Sequence, residues 1–147
     1  LFTRIVVGTD GSETAEQAVQ QAADLAKQTG ATLSIVSAFA PVSKSRVGEE
    51  ARGAPADVAH AISPREDVDM VLGRAAGAGK HEGVEVETHS VEGDPADAIL
   101  DVAEKTGADL IVVGNKGMTG ARRFLLGSVP NKVSHHAPCS VLIIRTT

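Results

Sequence analysis

The chain has 147 residues, of which 42% are apolar and 22% charged, and a net charge of −5. That balance excludes a disordered or collagen-like chain, and a chain of about this length buries roughly 70% of its unfolded surface in one core, so residues 1–147 read as a single domain. Three phenylalanines with no tryptophan or tyrosine offer no stacking platform for single-stranded nucleic acid, and the acidic balance argues against a general nucleic-acid binder. No run approaches the ~18 apolar residues of a membrane span, and no charged start leads into an apolar leader. Cys139 stands alone, which excludes an internal disulfide and a cysteine-only metal cage and fits a reducing cytoplasm.

The first element is Arg4-Ile5-Val6-Val7, a short apolar run ending at Gly8 that reads as a strand buried on both faces. Asp10-Gly11-Ser12 is a turn with Ser12 as N-cap. Ala15, Ala18, Val19, Ala22 and Ala26 then recur at helical spacing up to Gly30, a C-cap signal. Residues 32–38 form the second strand. Residues 39–63 lose all periodicity and are rich in Pro, Gly, Ser, Ala and charge; they read as a long loop or lid with a short helix near 57–62. Pro64 opens a helix whose apolar face is Val68, Val71, Leu72, Ala75 and Ala76, and residues 84–90 alternate as a third strand. Asp94 and Pro95 supply an N-cap and an N1 proline for a helix carrying Ile99, Val102 and Ala103 and stopping at Gly107. Residues 110–113 are the fourth strand, 128–136 a short helix broken by Pro138, and 140–145 the fifth strand.

Strands thus alternate with helices along the whole chain, which predicts an α/β fold: an open five-stranded parallel sheet with helices on both faces, Rossmann-like in architecture. In such sheets ligands sit outside the carboxyl ends of the strands, where strand order reverses. The segment after the fourth strand, residues 114–128, is the most informative of those ends. Its glycines let the backbone approach a ligand closely, and Gly127-Ser128 precedes a helix start, where free N–H groups and the dipole favour an anion. Residues 115–132 hold Lys116, Arg122, Arg123 and Lys132 and no acid, a net of +4; the remaining ten basic and nineteen acidic residues leave −9. A cationic island in an acidic protein points to an anionic ligand.

Gly114-x2-Gly117-x9-Gly127-Ser128 resembles the nucleotide-binding signature of the universal stress protein family, in its ATP-binding branch. Residues 5–12 look like that family's first strand and adenosine-binding turn, residues 108–114 like the strand leading to its site, and residues 138–144 like its terminal strand. The resemblance covers the chain in order except for 39–63, and it implies an adenine nucleotide alpha hydrolase-like fold. By that resemblance Gly8, Thr9 and Asp10 line the adenosine, with Asp10 touching base or ribose, and residues from Val36 to Ala38 cover the adenine. Val113, Gly114, Lys116 and Gly117 line the ribose and first phosphate; Gly127, Ser128 and Val129 hold the phosphate chain. The ligand implied is ATP, with Mg2+ accompanying it. The family commonly has Ser or Thr where this chain has Pro130, which offers neither hydroxyl nor N–H. One phosphate contact is lost there, which keeps AMP and cyclic AMP open as ligands.

Other motifs carry less. Gly77-Ala-Gly79 follows a helix instead of a strand, no P-loop is present, and a receiver-type acid pair is missing beside Asp10. His135, His136 and Cys139 offer three donors with no fourth nearby, so they read as a helix end and a packing residue, and no metal site is expected. No nucleophile–base pair is legible, so no catalytic residue is assigned. The resemblance implies a stress-response regulatory protein that works by binding; the alternative is a slow ATP hydrolase or nucleotidyl-transfer enzyme on the same fold. In the family's strand order the fifth strand is a sheet edge. Its apolar run, residues 141–144, would be left bare, so a homodimer through residues 139–146 is expected.

Overall fold

The computed structural model describes residues 1–40, 65–115 and 126–146. The expected loop over 39–63, with its short helix at 57–62, falls almost wholly outside these residues, as do Lys116 and Gly117; Phe39 itself is the last residue of a strand. The elements in chain order are β1 (Arg4–Gly8), α1 (Glu13–Thr29), β2 (Thr32–Phe39), α2 (Arg65–His81), β3 (Val86–Glu92), α3 (Pro95–Thr106), β4 (Leu110–Gly114), α4 (Ser128–His136) and β5 (Ser140–Ile144). All four strand pairings are parallel, and the sheet order is β3-β2-β1-β4-β5. The expected open parallel sheet is therefore the observed one.

Period-two alternation sorts the central strands between two cores. Ile5 and Val7 of β1, Leu33 and Ile35 of β2, and Leu110 and Val112 of β4 pack against α1 and α2. Val6, Val36, Ile111 and Val113 point the other way, into a second cluster with Ile99 and Val102 of α3 and Val133 of α4. Both faces being covered, β1 and β4 carry no polar side chain after Arg4. Ala18, Ala22 and Ala26 are all but fully buried along α1, and their small side chains let that helix lie close on the sheet.

Helix ends follow their local chemistry. Ser12 Oγ accepts the Ala15 N–H at the start of α1, and Gly30, in the left-handed region at φ 74°, closes its end. Asp94 accepts from the Asp97 N–H at the start of α3, and Gly107 at φ 67° ends it. The third strand is shifted from the sequence expectation by two residues. After α2 the N–H of Val84 bonds back to the Gly79 carbonyl, so Val84 belongs to the turn, and pairing with β2 runs from Val86 opposite Leu33 to Glu92 opposite Phe39. On this half-exposed edge the hydrophobic alternation is too weak to fix the strand's ends.

Asp109 pins the amino ends of β1 and β4 together. Its carboxylate accepts from the Thr3 N–H at 2.8 Å, the Thr3 hydroxyl at 3.0 Å and the Arg4 N–H at 3.1 Å. Desolvation pushes this carboxyl up, but the donors from Thr3 and Arg4 outweigh it and hold it below its ordinary range. Asp109→Ala should destabilise the fold by about 1–2 kcal/mol, the scale of hydrogen bonds to a charged group in a partly exposed setting. Chemical denaturation at neutral pH reads this, and an unchanged midpoint would remove Asp109 as a tie between the strands.

Candidate functional site

The chain lays β2 and β3 to one side of β1, then crosses back to place β4 and β5 on the other. The helices of the two halves pack on opposite faces, α1 and α2 on one and α3 and α4 on the other, which makes the carboxyl ends of β1 and β4 the switch point where open parallel sheets place their ligands. Val7 lies opposite Val112 in the register, one residue before Gly8 and Val113. The segments after β1 and after β4 are thereby brought to one place.

The β1–α1 turn is held by its own side chains. Thr9 donates its N–H to the Val36 carbonyl at 2.9 Å, and its hydroxyl accepts the Gly11 N–H at 3.1 Å. Asp10 Oδ1 accepts the Ser12 N–H at 2.9 Å, while the residue itself is exposed at the strand end. A Cβ on Gly8 would collide with the tip of the Ile99 side chain, which would have to turn aside to admit a larger residue. Val36, Ala38, Val113 and Val129 all belong to the apolar cluster on the α3 and α4 side. Within it Val36 is 1% exposed, deep under α3, whereas Ala38, two residues on and on the same face, is half-buried at the end of β2. These four residues thus share one face of the sheet, with Ala38 more exposed than Val36.

The start of α4 lies on this same face of the sheet, Val129 being in its first turn. Gly127 is its N-cap, at φ −62° and ψ 164°, with no side-chain hydrogen bond capping the helix. Its own N–H donates to the Asn115 carbonyl at 3.0 Å, and its carbonyl accepts the Asn131 N–H. The N–H groups of Ser128 and Val129 are first-turn amides for which the helix has no carbonyl, and among the described residues neither has a backbone partner. Pro130, the third residue of the helix, has no N–H, and its ring is fully buried. The other helices neutralise their starts with acids in the first turn: Glu13 and Glu16 in α1, Glu66 and Asp67 in α2, Asp97 in α3. The first turn of α4 has none. Its positive end is left for something outside the helix.

The structure corrects one member of the cationic island. Lys132 does not face this helix start: its ammonium lies 2.8 Å from Asp97 and 3.4 Å from Asp94, which raises its pKa through the Asp97 contact first. The charge is spent on clamping α4 to the start of α3. Charge counting could not reveal this, because the acids that neutralise it lie 35 and 38 positions away in the chain. Of the remaining island, Lys116, Arg122 and Arg123 lie outside the described residues.

Sequence reasoning passed over Asn115, which bonds to both β5 and α4. It carries no recognisable signal, since nothing in the sequence says which residues its amide meets. His135 and His136 occupy the last turn of α4, where they suit its dipole, and Cys139 packs on the second core, its thiol pushed up by burial and then by the Asp109 charge. Two hollows open elsewhere: one of about 390 Å³ between α2 and β3, past Gly73, Gly77 and Thr88, and one of about 250 Å³ between α1 and α2, touching Thr9 and Gly11. Neither is lined by the α4 start, though the second reaches the β1–α1 turn at Thr9 and Gly11.

The Asp94 carboxyl is held below its ordinary range by the Asp97 N–H first, then by Lys132, against desolvation. Its contribution is therefore complete above the unfolded carboxylate pKa, near 4, and is lost as pH falls through the lower folded value. Asp94→Ala should cost about 1 kcal/mol at pH 7, the size of an N-cap, and the gap to the parent should close in strongly acid solution. Urea denaturation across that range measures it; a gap independent of pH would contradict the assignment.

Comparison with known proteins follows this geometry. The model of the universal stress protein family matches residues 1–145. The chain is 37% identical over 149 aligned positions to universal stress protein Rv1636 of Mycobacterium tuberculosis, covering 99% of this chain and 98% of that one. Among solved structures it is similar to a universal stress protein in complex with cAMP, at a TM-score of 0.74 and 31% identity over 99% of this chain and 98% of the other. It is also similar to the universal stress protein from Archaeoglobus fulgidus in complex with dAMP, at 0.69 and 25% over 97% and 98%. A family match spanning nearly the whole chain, on a sheet of this order, establishes that the protein belongs to the universal stress protein family.

Proposed function

We propose that this chain is a stress-response regulatory protein of the ATP-binding branch, which binds an adenine nucleotide in the crevice between β1 and β4 and acts through binding. The observation that carries this reading is the start of α4, without a capping side chain or a first-turn acid, in a fold whose other helices supply one or both. A phosphate there would accept from the amides of Ser128 and Val129 and from the Ser128 hydroxyl, and would sit on the positive end of the dipole. Gly8, Thr9 and Asp10 would line the adenosine, with the exposed Asp10 carboxylate as acceptor for a ribose hydroxyl or the adenine amine. Ala38, Val36, Val113 and Val129 would supply the apolar wall, and Gly114 with Lys116 and Gly117 the ribose and first phosphate. The relatives solved with cAMP and with dAMP support an adenine nucleotide as the ligand class. Among the described residues no cluster of His, Cys, Asp or Glu could hold a metal, so Mg2+ would arrive on the phosphates of ATP.

With Pro130 lacking an N–H, the helix start presents two amides, enough for one phosphate. A grip on all three phosphates of ATP would draw on the basic residues of 116–123. Calorimetry with ATP, AMP and cyclic AMP tests the reading. Gly127 sits at an ordinary φ, so any residue fits its backbone. Gly127→Asp should therefore add a cap and raise stability by a few tenths of a kcal/mol while abolishing binding through occupation and repulsion. Ser128→Ala should weaken binding by about 1 kcal/mol, and Pro130→Ser should shift preference toward ATP over AMP. A parent protein that binds none of the three nucleotides would end this reading.

The same proposal extends to assembly. β5 is an edge strand, and Leu142 and Ile143 on it are 39% and 37% exposed. A bare apolar edge invites another strand, and two-fold pairing with a second copy is the economical way to cover it. A homodimer through residues 139–146 should be seen by light scattering at micromolar concentration, and Ile143→Lys should convert it to monomer. A monomeric parent protein would reject the pairing.

A further inference from the structure

Asn115 is the residue that follows β4, and four hydrogen bonds converge on it. Its N–H donates to the Ile144 carbonyl at 2.9 Å, continuing the β4–β5 ladder by one step. Its carbonyl accepts the Gly127 N–H at 3.0 Å, closing the base of the segment that leads to α4. Its side-chain Oδ1 accepts twice from Thr146, from the N–H at 2.8 Å and from the hydroxyl at 3.1 Å. The Asn115 side chain thus holds Thr146, two residues beyond the edge strand, while its carbonyl holds the amide of Gly127, the N-cap residue of α4.

These bonds are not equivalent in what they fix. A peptide at the end of a strand is held by a single ladder bond and frays readily, because no further pair supports it. The Oδ1 contacts add a second anchor, through the side chain. With both anchors in place the carbonyl that receives the Gly127 N–H is restrained from swinging. The Ser128 and Val129 amides follow Gly127 directly, so their aim depends on that same carbonyl.

We infer that Asn115 is a positioning residue for the anion site: tied to Thr146 by its side chain, it orients the start of α4, so that ligand affinity at one end of the crevice depends on a contact at the edge of the sheet. The inference rests on the nucleotide-binding reading for its effect on affinity, and on the four hydrogen bonds alone for its effect on the helix start. Thr146 lies outside every proposed ligand contact, which makes it the informative partner. It also links any event that orders or displaces the end of β5 to the set of amides offered to phosphate.

The test compares the parent chain with Asn115→Ala, Thr146→Pro, the double variant and Asn115→Asp. Proline removes both the N–H and the hydroxyl that Thr146 gives to Oδ1; aspartate keeps the acceptor. The first readout is amide hydrogen exchange at Gly127 by NMR in nucleotide-free protein, and the second is calorimetric affinity for ATP and AMP, with melting temperature alongside. Asn115→Ala and Thr146→Pro should each speed exchange at Gly127 and weaken nucleotide binding on the order of fivefold, the loosening expected from losing one ordinary hydrogen-bonded anchor. The double variant should be no worse than either single one, since both cut the same link. Asn115→Asp should restore the slow exchange at Gly127. Variants that melt lower yet keep parental Gly127 exchange and parental affinity would overturn the inference and leave Asn115 as a stabilising residue only, as would strictly additive losses in the double variant. If the parent binds no adenine nucleotide, the functional reading fails on its own account, and the Gly127 exchange pattern still decides whether Asn115 positions the helix.

Discussion

The pairing of β1 with β4 is the contact on which both the packing and the crevice depend. Ile5, Val6 and Val7 face Leu110, Ile111 and Val112 across three register pairs, and their side chains feed both cores alternately. It is also where the two halves of the chain join, since β2 and β3 are laid on one side of it and β5 on the other. A right-handed crossover leaves no choice about which face each half's helices occupy, and this pair is therefore the switch point at which such sheets place ligands. Asp109 holds the pair together at its amino end with three hydrogen bonds, away from those carboxyl ends. The tie at one end and the switch point at the other belong to the same two strands.

The helix starts divide by chemistry in a way that suits this arrangement. At α1 and α3 a side-chain oxygen from Ser12 or Asp94 takes an orphan amide, and acids complete the first turn. These are stabilising choices, each worth on the order of 1 kcal/mol in a protein whose total margin is about 5–15 kcal/mol. At α4 the chain forgoes them, with glycine at the cap, no acid in the first turn and proline where a third amide would stand. Among the described helix starts, that of α4 lacks both a side-chain cap and a first-turn acid, and it is the one on which the proposed anion site rests. Lys132 fits the same division. Its charge goes to Asp94 and Asp97, binding α4 to α3 and keeping the helix where the strand ends need it.

Much of this fold is readable from local sequence. The ends of α1, α3 and α4 stand where Ser12, Gly30, Asp94, Gly107, Ser128 and Pro138 place them, because capping and helix-breaking depend on residues only a few positions apart. The central strands are legible as apolar runs because both faces are buried. The limits of β3 are not, because an edge strand with Glu87, Thr88 and Glu92 exposed has no strong alternation, and its register is set by β2. The glycine spacing from Gly114 to Gly127 and the helix start were also visible in the sequence, since glycine and a cap position are local features.

What the sequence alone determined, then, was the succession of elements, the family resemblance and the stretch of chain where an anion could be met, all of them properties of neighbours along the backbone. The tertiary structure decided the rest. It showed that Lys132 is neutralised by acids of another helix, that Val36 is buried deeper than Ala38 on the same wall, and that Pro130 fills core space as well as lacking a donor. It showed too that Asn115 joins the edge strand to the helix start. Each of these turns on chain segments that only folding brings together, and a side chain's charge, burial and hydrogen bonds are fixed only when its partners have been brought to it.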